Sequence, residues 1–220
     1  MLEYLLLHTK DYGDDDYRFF FSLCSEERRQ KVLRHRFDED KRLALLAEGM
    51  LRLRLGRRLA CSPAELSISR GEDGKPYLAG TALYFNISHT RVPDGGRLLL
   101  AIADAPVGCD IERARIPSPG LLKKVCTTAE IDYIGGGDGM ALRCAEVWTA
   151  KEAYLKHTGV GIACDLRTVE TCENRTIRGT VNGLPLFHRT VEDIACSIVS
   201  MAAVEGTAVE PPARELWKTE

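Results

Sequence analysis

Two acidic residues stand two positions apart in Val107–Glu112, a short apolar segment with the composition of a β-strand. Alternate side chains of a strand share a face, so Asp110 and Glu112 are expected to point together while Cys109 and Ile111 enter the core. Like charges side by side destabilise a sheet unless a cation lies between them. We interpret the pair as part of a divalent-cation site. The alternative is a strand end that has already reached solvent.

A third carboxylate comes from a predicted helix over Met140–Lys156. Its residues Trp148, Glu152 and Lys156 recur every four positions, which places them along one side of the helix. Glu152 could therefore join the strand carboxylates, with Lys156 one turn further on. The alternative is a surface helix with one Glu–Lys ion pair, which is common and only weakly stabilising.

Cationic side chains in several other segments could face such a site. Lys75 precedes Pro76 and is therefore held extended, His89 ends an apolar strand, and Lys31 and Arg34 form a basic helix edge. Mg²⁺ held by carboxylates completes its coordination with water and substrate phosphates. The pattern predicts a phosphoanhydride substrate and phosphoryl-type transfer. The alternatives are a solvated helix face and ordinary turn residues.

Composition and missing motifs exclude other classes of protein. The net charge of −2 argues against bulk binding to nucleic acid or to an anionic membrane. Eight cysteines without a C-x-x-C pair predict free thiols in a reducing compartment, not a zinc site. The sequence has no P-loop, no dinucleotide-binding glycine motif and no nucleophile elbow. With neither a signal peptide nor a membrane-spanning segment recognisable, we expect a soluble cytoplasmic protein.

The predicted elements alternate between helices and strands and give an α+β fold. A chain of 220 residues holds one large or two small domains. Strands are expected at Leu2–His8, Leu83–Thr90, Leu98–Ala103, Leu166–Cys172, Thr176–Val181 and Ile194–Val204, and helices at Arg28–Phe37, Asp38–Leu59 and Leu121–Ile134. Residues 11–16 are expected to form a loop, and those from about 206 onward to fray. A long helix followed by strands in each half suggests an internal duplication, with halves 1–105 and 106–220.

Four motifs occur in a definite order along the chain. They are Gly74-Lys75-Pro76, Phe85-Asn86-Ile87-Ser88-His89-Thr90, Val107-Gly108-Cys109-Asp110-Ile111-Glu112 and Trp148-Thr149-Ala150-Lys151-Glu152-Ala153-Tyr154-Leu155-Lys156. Together they resemble the 4′-phosphopantetheinyl transferases of the larger, single-chain surfactin-synthetase type. The resemblance implies a monomeric pseudo-dimer of two similar α+β halves, with coenzyme A bound in the cleft between them.

The resemblance also implies roles for individual residues. Asp110, Glu112 and Glu152 would hold Mg²⁺, or Mn²⁺ in its place, against the coenzyme A pyrophosphate. Asp110, Glu152 and Lys156 would be catalytic. Coenzyme A would contact Lys31, Arg34, Lys75, Pro76, Ser88, His89 and Lys156. Lys75, Ser88 and His89 are expected at the adenosine 3′-phosphate end, and Lys156 at the pyrophosphate. Glu130 matches a family glutamate only weakly, and Arg42 lies one position from an expected arginine.

The implied reaction modifies a serine of an acyl or peptidyl carrier protein. The serine hydroxyl attacks the β-phosphorus of coenzyme A, giving phosphopantetheinyl-serine and 3′,5′-ADP. Glu152 is the expected general base, and a metal-bound water is the alternative. An acidic helical carrier domain would dock around Pro117–Val125. Two other functions remain open from sequence: a non-catalytic module that binds coenzyme A or a nucleotide, and a Mg²⁺-dependent phosphohydrolase.

Overall fold

The computed structural model describes residues 1–71, 74–161 and 164–208. Within these ranges the helices are α1 Asp14–Leu23, α2 Glu26–Leu33, α3 Asp38–Leu59, α4 Pro119–Val125, α5 Thr128–Ile134 and α6 Met140–Thr158. The strands are β1 Leu2–His8, β2 Ile68–Arg70, β3 Pro76–Leu78, β4 Tyr84–Val92, β5 Gly95–Ala103, β6 Val107–Arg113, β7 Cys172–Glu173, β8 Thr176–Ile177, β9 Thr180–Val181, β10 Leu184–Val191, β11 Ile194–Ser200 and β12 Val204–Ala208. The α+β class is confirmed. No helix in the described ranges is long and apolar enough to span a membrane.

The first sheet has the strand order β12-β1-β5-β4 and packs against helix α3. Strands β1 and β5 pair antiparallel along their whole length, from Leu2 opposite Ala103 to His8 opposite Arg97. Helix α3 spans the residues predicted for it. Acidic residues fill its first turn and arginines its last, which complements the helix dipole, and Ala60 ends it in the left-handed conformation. Its buried side chains join those of α1, β1, β4 and β5 in the core of the N-terminal part of the chain.

The second sheet has the order β6-β11-β10-β9 and packs against helix α6. Strand β6 pairs antiparallel with β11, which places Asp110 opposite Ser197 and Glu112 opposite Ala195. Strand β6 is an edge strand of this sheet, as β4 is of the first. The two edges lie against each other, so residues of β4, β6 and α6 meet along one line.

Gly108 allows α6 to lie close to β6. A Cβ atom at this position would lie 2.1 Å from the carbonyl oxygen of Ala153 and 2.2 Å from the backbone nitrogen of His157. Both are backbone atoms of α6, so neither can rotate away. Gly108 therefore sets the separation between the strand that carries Asp110 and the helix that carries Glu152.

Replacing Gly108 with alanine is expected to lower the free energy of unfolding by about 3 kcal/mol or more, because the methyl group would push the helix backbone away from the strand. Urea unfolding followed by circular dichroism measures this change. Gly120→Ala is the matched control, since a Cβ there would meet no atom within 4 Å. Equal stability of the two variants would show that the close approach is unimportant.

Several predicted elements in the first part of the chain are corrected. The expected loop 11–16 contains the start of helix α1, where the Asp16 carboxylate accepts a hydrogen bond from Gly13 N at 2.8 Å. The burial of Phe20 and Tyr17 drives this helix, although its acidic start resembles a solvated loop. The helix expected at Arg28–Phe37 ends at Leu33 as α2.

The C-terminal part also differs from expectation. The single helix expected at Leu121–Ile134 is two helices, because Thr127 caps α5 and its hydroxyl accepts from Glu130 N. The strand expected at Leu166–Cys172 is a 3₁₀ turn over Leu166–Thr168 followed by β7. The strand expected at Thr176–Val181 is two short strands, β8 and β9. The strand expected at Ile194–Val204 ends at Ser200 as β11. Residues 204–208, partly expected to fray, form β12 and pair parallel with β1. The division into halves 1–105 and 106–220 stays a prediction.

Candidate active site

A pocket opens where strands β4 and β6 meet helix α6. Its lining comes from all three elements: Ile87, Ser88, His89, Asp110, Glu112, Trp148, Glu152 and Lys156. The predicted one-sided arrangement of Trp148, Glu152 and Lys156 on the helix is confirmed. The sequence motifs from both sheets thus converge on one polar site.

Strand β6 presents its carboxylates as its alternation predicts. Cys109 and Ile111 are fully buried in the core, whereas Asp110 and Glu112 face the pocket. The Ser88 hydroxyl donates to Asp110 Oδ1 at 2.6 Å. Strand β4 therefore contacts the β6 carboxylates through side chains.

Lys156 supplies the cation nearest to the carboxylates. Its Nζ atom donates to Asp110 Oδ1 at 2.6 Å and to Ser88 Oγ at 3.1 Å. Burial opposes the charge on Lys156, but the Asp110 carboxylate, together with Cys109 and Glu152, raises the pKa of the ammonium overall. Lys156 is therefore charged at neutral pH and neutralises part of the negative charge.

Excess negative charge remains after this pairing. Burial and the adjacent Asp110 raise the pKa of Glu112. Burial and Asp110 likewise raise the pKa of Glu152, while Lys156 opposes that rise. One ammonium thus faces three mutually repelling carboxylates, an arrangement that a divalent cation would stabilise.

Two oxygens at this site are suited to a divalent cation. Asp110 Oδ2 and Glu152 Oε1 are buried and have no hydrogen-bond partner among the described residues. Hard oxygen donors of this kind fit Mg²⁺ or Mn²⁺. Within the described ranges no three acidic, histidine or cysteine side chains are already close enough to hold an ion. It is the chemistry of the donor oxygens that fits the cation.

Lys75 lies beside the pocket and bridges two elements. Its Nζ atom donates to the carbonyl oxygen of Lys156 at 2.5 Å and to that of Val107 at 3.3 Å. Together with Pro76 it lines an adjoining cavity that Glu152 and Lys156 also border. His89 is exposed at the opposite side, in a cavity shared with Arg91 and Arg115. Lys75 and His89 therefore line different cavities, although both are expected at the adenosine 3′-phosphate end of coenzyme A.

The basic edge of helix α2, formed by Lys31 and Arg34, is not part of the lining of the polar pocket. Lys31 is exposed and pairs with Glu27 at 2.5 Å, and Arg34 is exposed at the end of the helix. Neither lines the pocket around Asp110. Their contact with coenzyme A stays a prediction.

Glu130 and Arg42, which the family resemblance matched only weakly, contact residues outside the polar pocket. Glu130 is fully buried and forms an ion pair with Lys151 at 2.8 Å. Arg42 lies over the Tyr17 ring, 5.4 Å from its centroid, and approaches Asp14. Neither residue lines the polar pocket, and a role for either one in the reaction stays a prediction.

Sequence reasoning missed three residues that organise the site. Gly108 sets the strand-to-helix distance, Asn86 accepts a hydrogen bond from Cys109 N at 2.9 Å, and Thr90 donates to Glu112 Oε2 at 3.2 Å. Asn86, Ser88 and Thr90 alternate along β4, and Ser88 and Thr90 contact the alternate residues Asp110 and Glu112 on β6. The alternation along β4 can be seen in the sequence. The sequence does not show that β6 is the strand that β4 contacts.

A second, mostly apolar cavity adjoins the carboxylates and shares Glu112 and Trp148 with the first pocket. It lies between helices α4 and α6. Its other lining residues include Pro117, Leu121, Leu122, Val125, Cys126, Cys144 and Val147. An uncharged ligand segment could therefore lie next to the charged site.

Comparisons with known proteins identify a family for this chain. Residues 106–205 match the model of the 4′-phosphopantetheinyl transferase superfamily. Residues 13–92 match a model described as 4′-phosphopantetheinyl transferase, N-terminal. Together the two matches include every residue that lines the polar pocket.

Individual relatives carry the same name. A Synechocystis protein provisionally named as a 4′-phosphopantetheinyl transferase is 30% identical over 162 residues, covering 70% of this chain and 64% of the relative. The 4′-phosphopantetheinyl transferase Sfp of Bacillus subtilis is 27% identical over 67% of this chain and 65% of its own length. The 4′-phosphopantetheinyl transferase HetI of Nostoc is 29% identical over 85% of this chain and 81% of its own length. The first two matches span just under two thirds of the relatives.

Proposed function

Since this chain belongs to the 4′-phosphopantetheinyl transferase superfamily, we propose that it transfers the 4′-phosphopantetheine group of coenzyme A to a serine of an acyl or peptidyl carrier protein. The observation that carries the proposal is the pocket in which Asp110, Glu112 and Glu152 face Lys156. Three carboxylates beside one ammonium suit a divalent cation and a pyrophosphate.

In this proposal Asp110, Glu112 and Glu152 hold Mg²⁺, with Mn²⁺ as an alternative. When bound, the ion would neutralise charge on the pyrophosphate oxygens. Lys156, held at 2.6 Å from Asp110, donates hydrogen bonds to the pyrophosphate as negative charge develops on the leaving group.

The proposed transfer forms one phosphorus–oxygen bond and breaks another. The carrier serine oxygen attacks the β-phosphorus, and the bond from that phosphorus to the oxygen of the departing 3′,5′-ADP breaks. The serine proton passes to the oxygen of the Glu152 carboxylate that does not hold the cation. The raised pKa of Glu152 brings this base closer to the operating pH, as general-base catalysis favours.

Coenzyme A would lie along the line where the two sheets meet, between halves 1–105 and 106–220 of a pseudo-dimer. Lys75 and Pro76 line the cavity at one end and His89 lines the cavity at the other, with Ser88 between them beside Asp110. Lys31 and Arg34 line neither of these cavities, so coenzyme A would have to extend beyond them to contact these two residues. The apolar cavity beside Trp148 suits the uncharged pantetheine arm.

The carrier protein is proposed to dock on residues 117–125. Leu121 is 41% exposed and the neighbouring Ile116 is 63% exposed, while Lys123 and Lys124 lie in the last turn of α4. Apolar side chains bordered by lysines suit an acidic helical partner. This surface also borders the apolar cavity, through Leu121.

Transfer is expected to decline on the acid side at a pH above 4.5, the ordinary glutamate value. The pKa values of Glu112 and Glu152 are raised, so both take up protons at a higher pH than free glutamate. Their protonation removes the charge that binds the cation, and activity is lost as pH falls through these raised values. The measurement is kcat/KM against pH at subsaturating Mg²⁺; an acid limb at or below 4.5 would contradict it.

Product analysis separates this function from its alternatives. The protein is incubated with coenzyme A and Mg²⁺, with and without an apo carrier domain, and 3′,5′-ADP is measured by chromatography. We expect release only when the carrier is present. Release without carrier would favour a Mg²⁺-dependent phosphohydrolase. Binding of coenzyme A without release under any condition would favour a non-catalytic module.

A further inference from the structure

Strand β4 contacts strand β6 through three side chains at alternate positions. Asn86 accepts from Cys109 N at 2.9 Å, Ser88 donates to Asp110 at 2.6 Å, and Thr90 donates to Glu112 at 3.2 Å. These strands are the adjoining edges of two different sheets. The side-chain bonds therefore align the two edges at the polar pocket.

The Glu112 carboxylate has a different partner at each of its two oxygens. Thr90 binds Oε2 from a half-buried position, whereas the Oε1 atom lies 3.7 Å from Arg115, whose side chain is 76% exposed. An exposed arginine at that distance holds a carboxylate weakly, because solvent screens the charge and the side chain is mobile. Strand β4 thus fixes the Glu112 carboxylate through one hydroxyl group.

We infer that Thr90 is a positioning residue that orients Glu112 toward the divalent cation. This inference rests on the proposed function, in which Glu112 is a cation ligand. Groups that hydrogen-bond to a metal-binding carboxylate fix its orientation, and their loss typically weakens metal binding tenfold or more. Thr90 lines the adjoining cavity with His89 and Glu112 but not the pocket with Asp110 and Glu152, so its effect on the cation would pass through Glu112.

The test compares Thr90→Val, which removes the hydroxyl at nearly constant volume, with Thr90→Ser, which keeps it. Thr190→Val, at an exposed position of strand β10, is the matched control. Mn²⁺ affinity is measured by electron paramagnetic resonance with coenzyme A present, beside the Mg²⁺ concentration for half-maximal transfer. Thr90→Val is expected to weaken both about tenfold, with kcat at saturating Mg²⁺ nearly unchanged. Thr90→Ser and Thr190→Val should match the wild-type protein.

Unchanged Mn²⁺ affinity in Thr90→Val would overturn the inference. So would a Thr90→Ser variant as weak as Thr90→Val, because packing of the methyl group would then explain the loss. If the wild-type protein binds Mn²⁺ and Thr90→Val weakens it, but neither transfers phosphopantetheine, the inference stands and the proposed function fails.

Discussion

Replacing Glu152 with glutamine is expected to reduce transfer by about 10³-fold or more while the fold stays intact. The substitution keeps the shape of the side chain but removes both a proposed cation ligand and the proposed general base. Because burial and Asp110 raise the pKa of Glu152, its charge destabilises the folded state at neutral pH. The melting temperature of Glu152→Gln should therefore equal or exceed that of the wild-type protein.

The measurement is kcat/KM for a carrier domain, beside a thermal melt without substrate. Glu192→Gln is the matched control, since the Glu192 side chain is 73% exposed in the turn before β11. It should keep full activity. Near wild-type activity in Glu152→Gln would remove Glu152 from the mechanism.

Replacing Lys151 with methionine is expected to cost about 3–5 kcal/mol of unfolding free energy, because it leaves the buried Glu130 carboxylate without its cation. Lys151 Nζ also donates to the carbonyl oxygens of Leu166 and Val169, at 2.8 and 2.5 Å. These bonds tie helix α6 to the 3₁₀ turn that follows it in the chain. Such a loss is a large share of the stability of an ordinary domain.

Urea unfolding measures the effect, and Lys41→Met, which breaks only the surface pair with Asp38, is the control. The double variant Glu130→Gln and Lys151→Met has neither of the two buried charges. Its decrease in unfolding free energy should be smaller than the sum of the decreases in the two single variants. Additive losses, or a stable Lys151→Met, would show that the ion pair contributes little.

The parts of the fold that sequence predicted well have strong periodic patterns. Helix α3 matches its predicted bounds because acidic residues, an apolar face and terminal arginines all indicate the same limits. In strand β6 the structure confirms that Asp110 and Glu112 alternate with core residues. Local periodicity was sufficient in both cases.

Other features depend on distant residues that no local pattern indicates. Helix α1 begins with three aspartates, which indicate a solvated loop unless the aromatic residues behind them are known to be buried. Lys151 had the sequence features of an ordinary helix former, yet it is buried against Glu130. Strands β4 and β6 contact each other through Ser88 with Asp110 and Thr90 with Glu112, and each pair is 22 positions apart in the chain. These pairings follow from the packing of sheets and helices.

The most direct test of the account is the intact mass of an apo carrier domain after incubation with this protein, coenzyme A and Mg²⁺, beside an identical sample containing EDTA. We expect a gain of one phosphopantetheine group on the carrier serine and no gain with EDTA. Carrier domains from fatty-acid, polyketide and nonribosomal peptide systems should be tried in parallel. An unchanged mass for every carrier, with coenzyme A still bound in a thermal-shift assay, would contradict the proposed transferase activity.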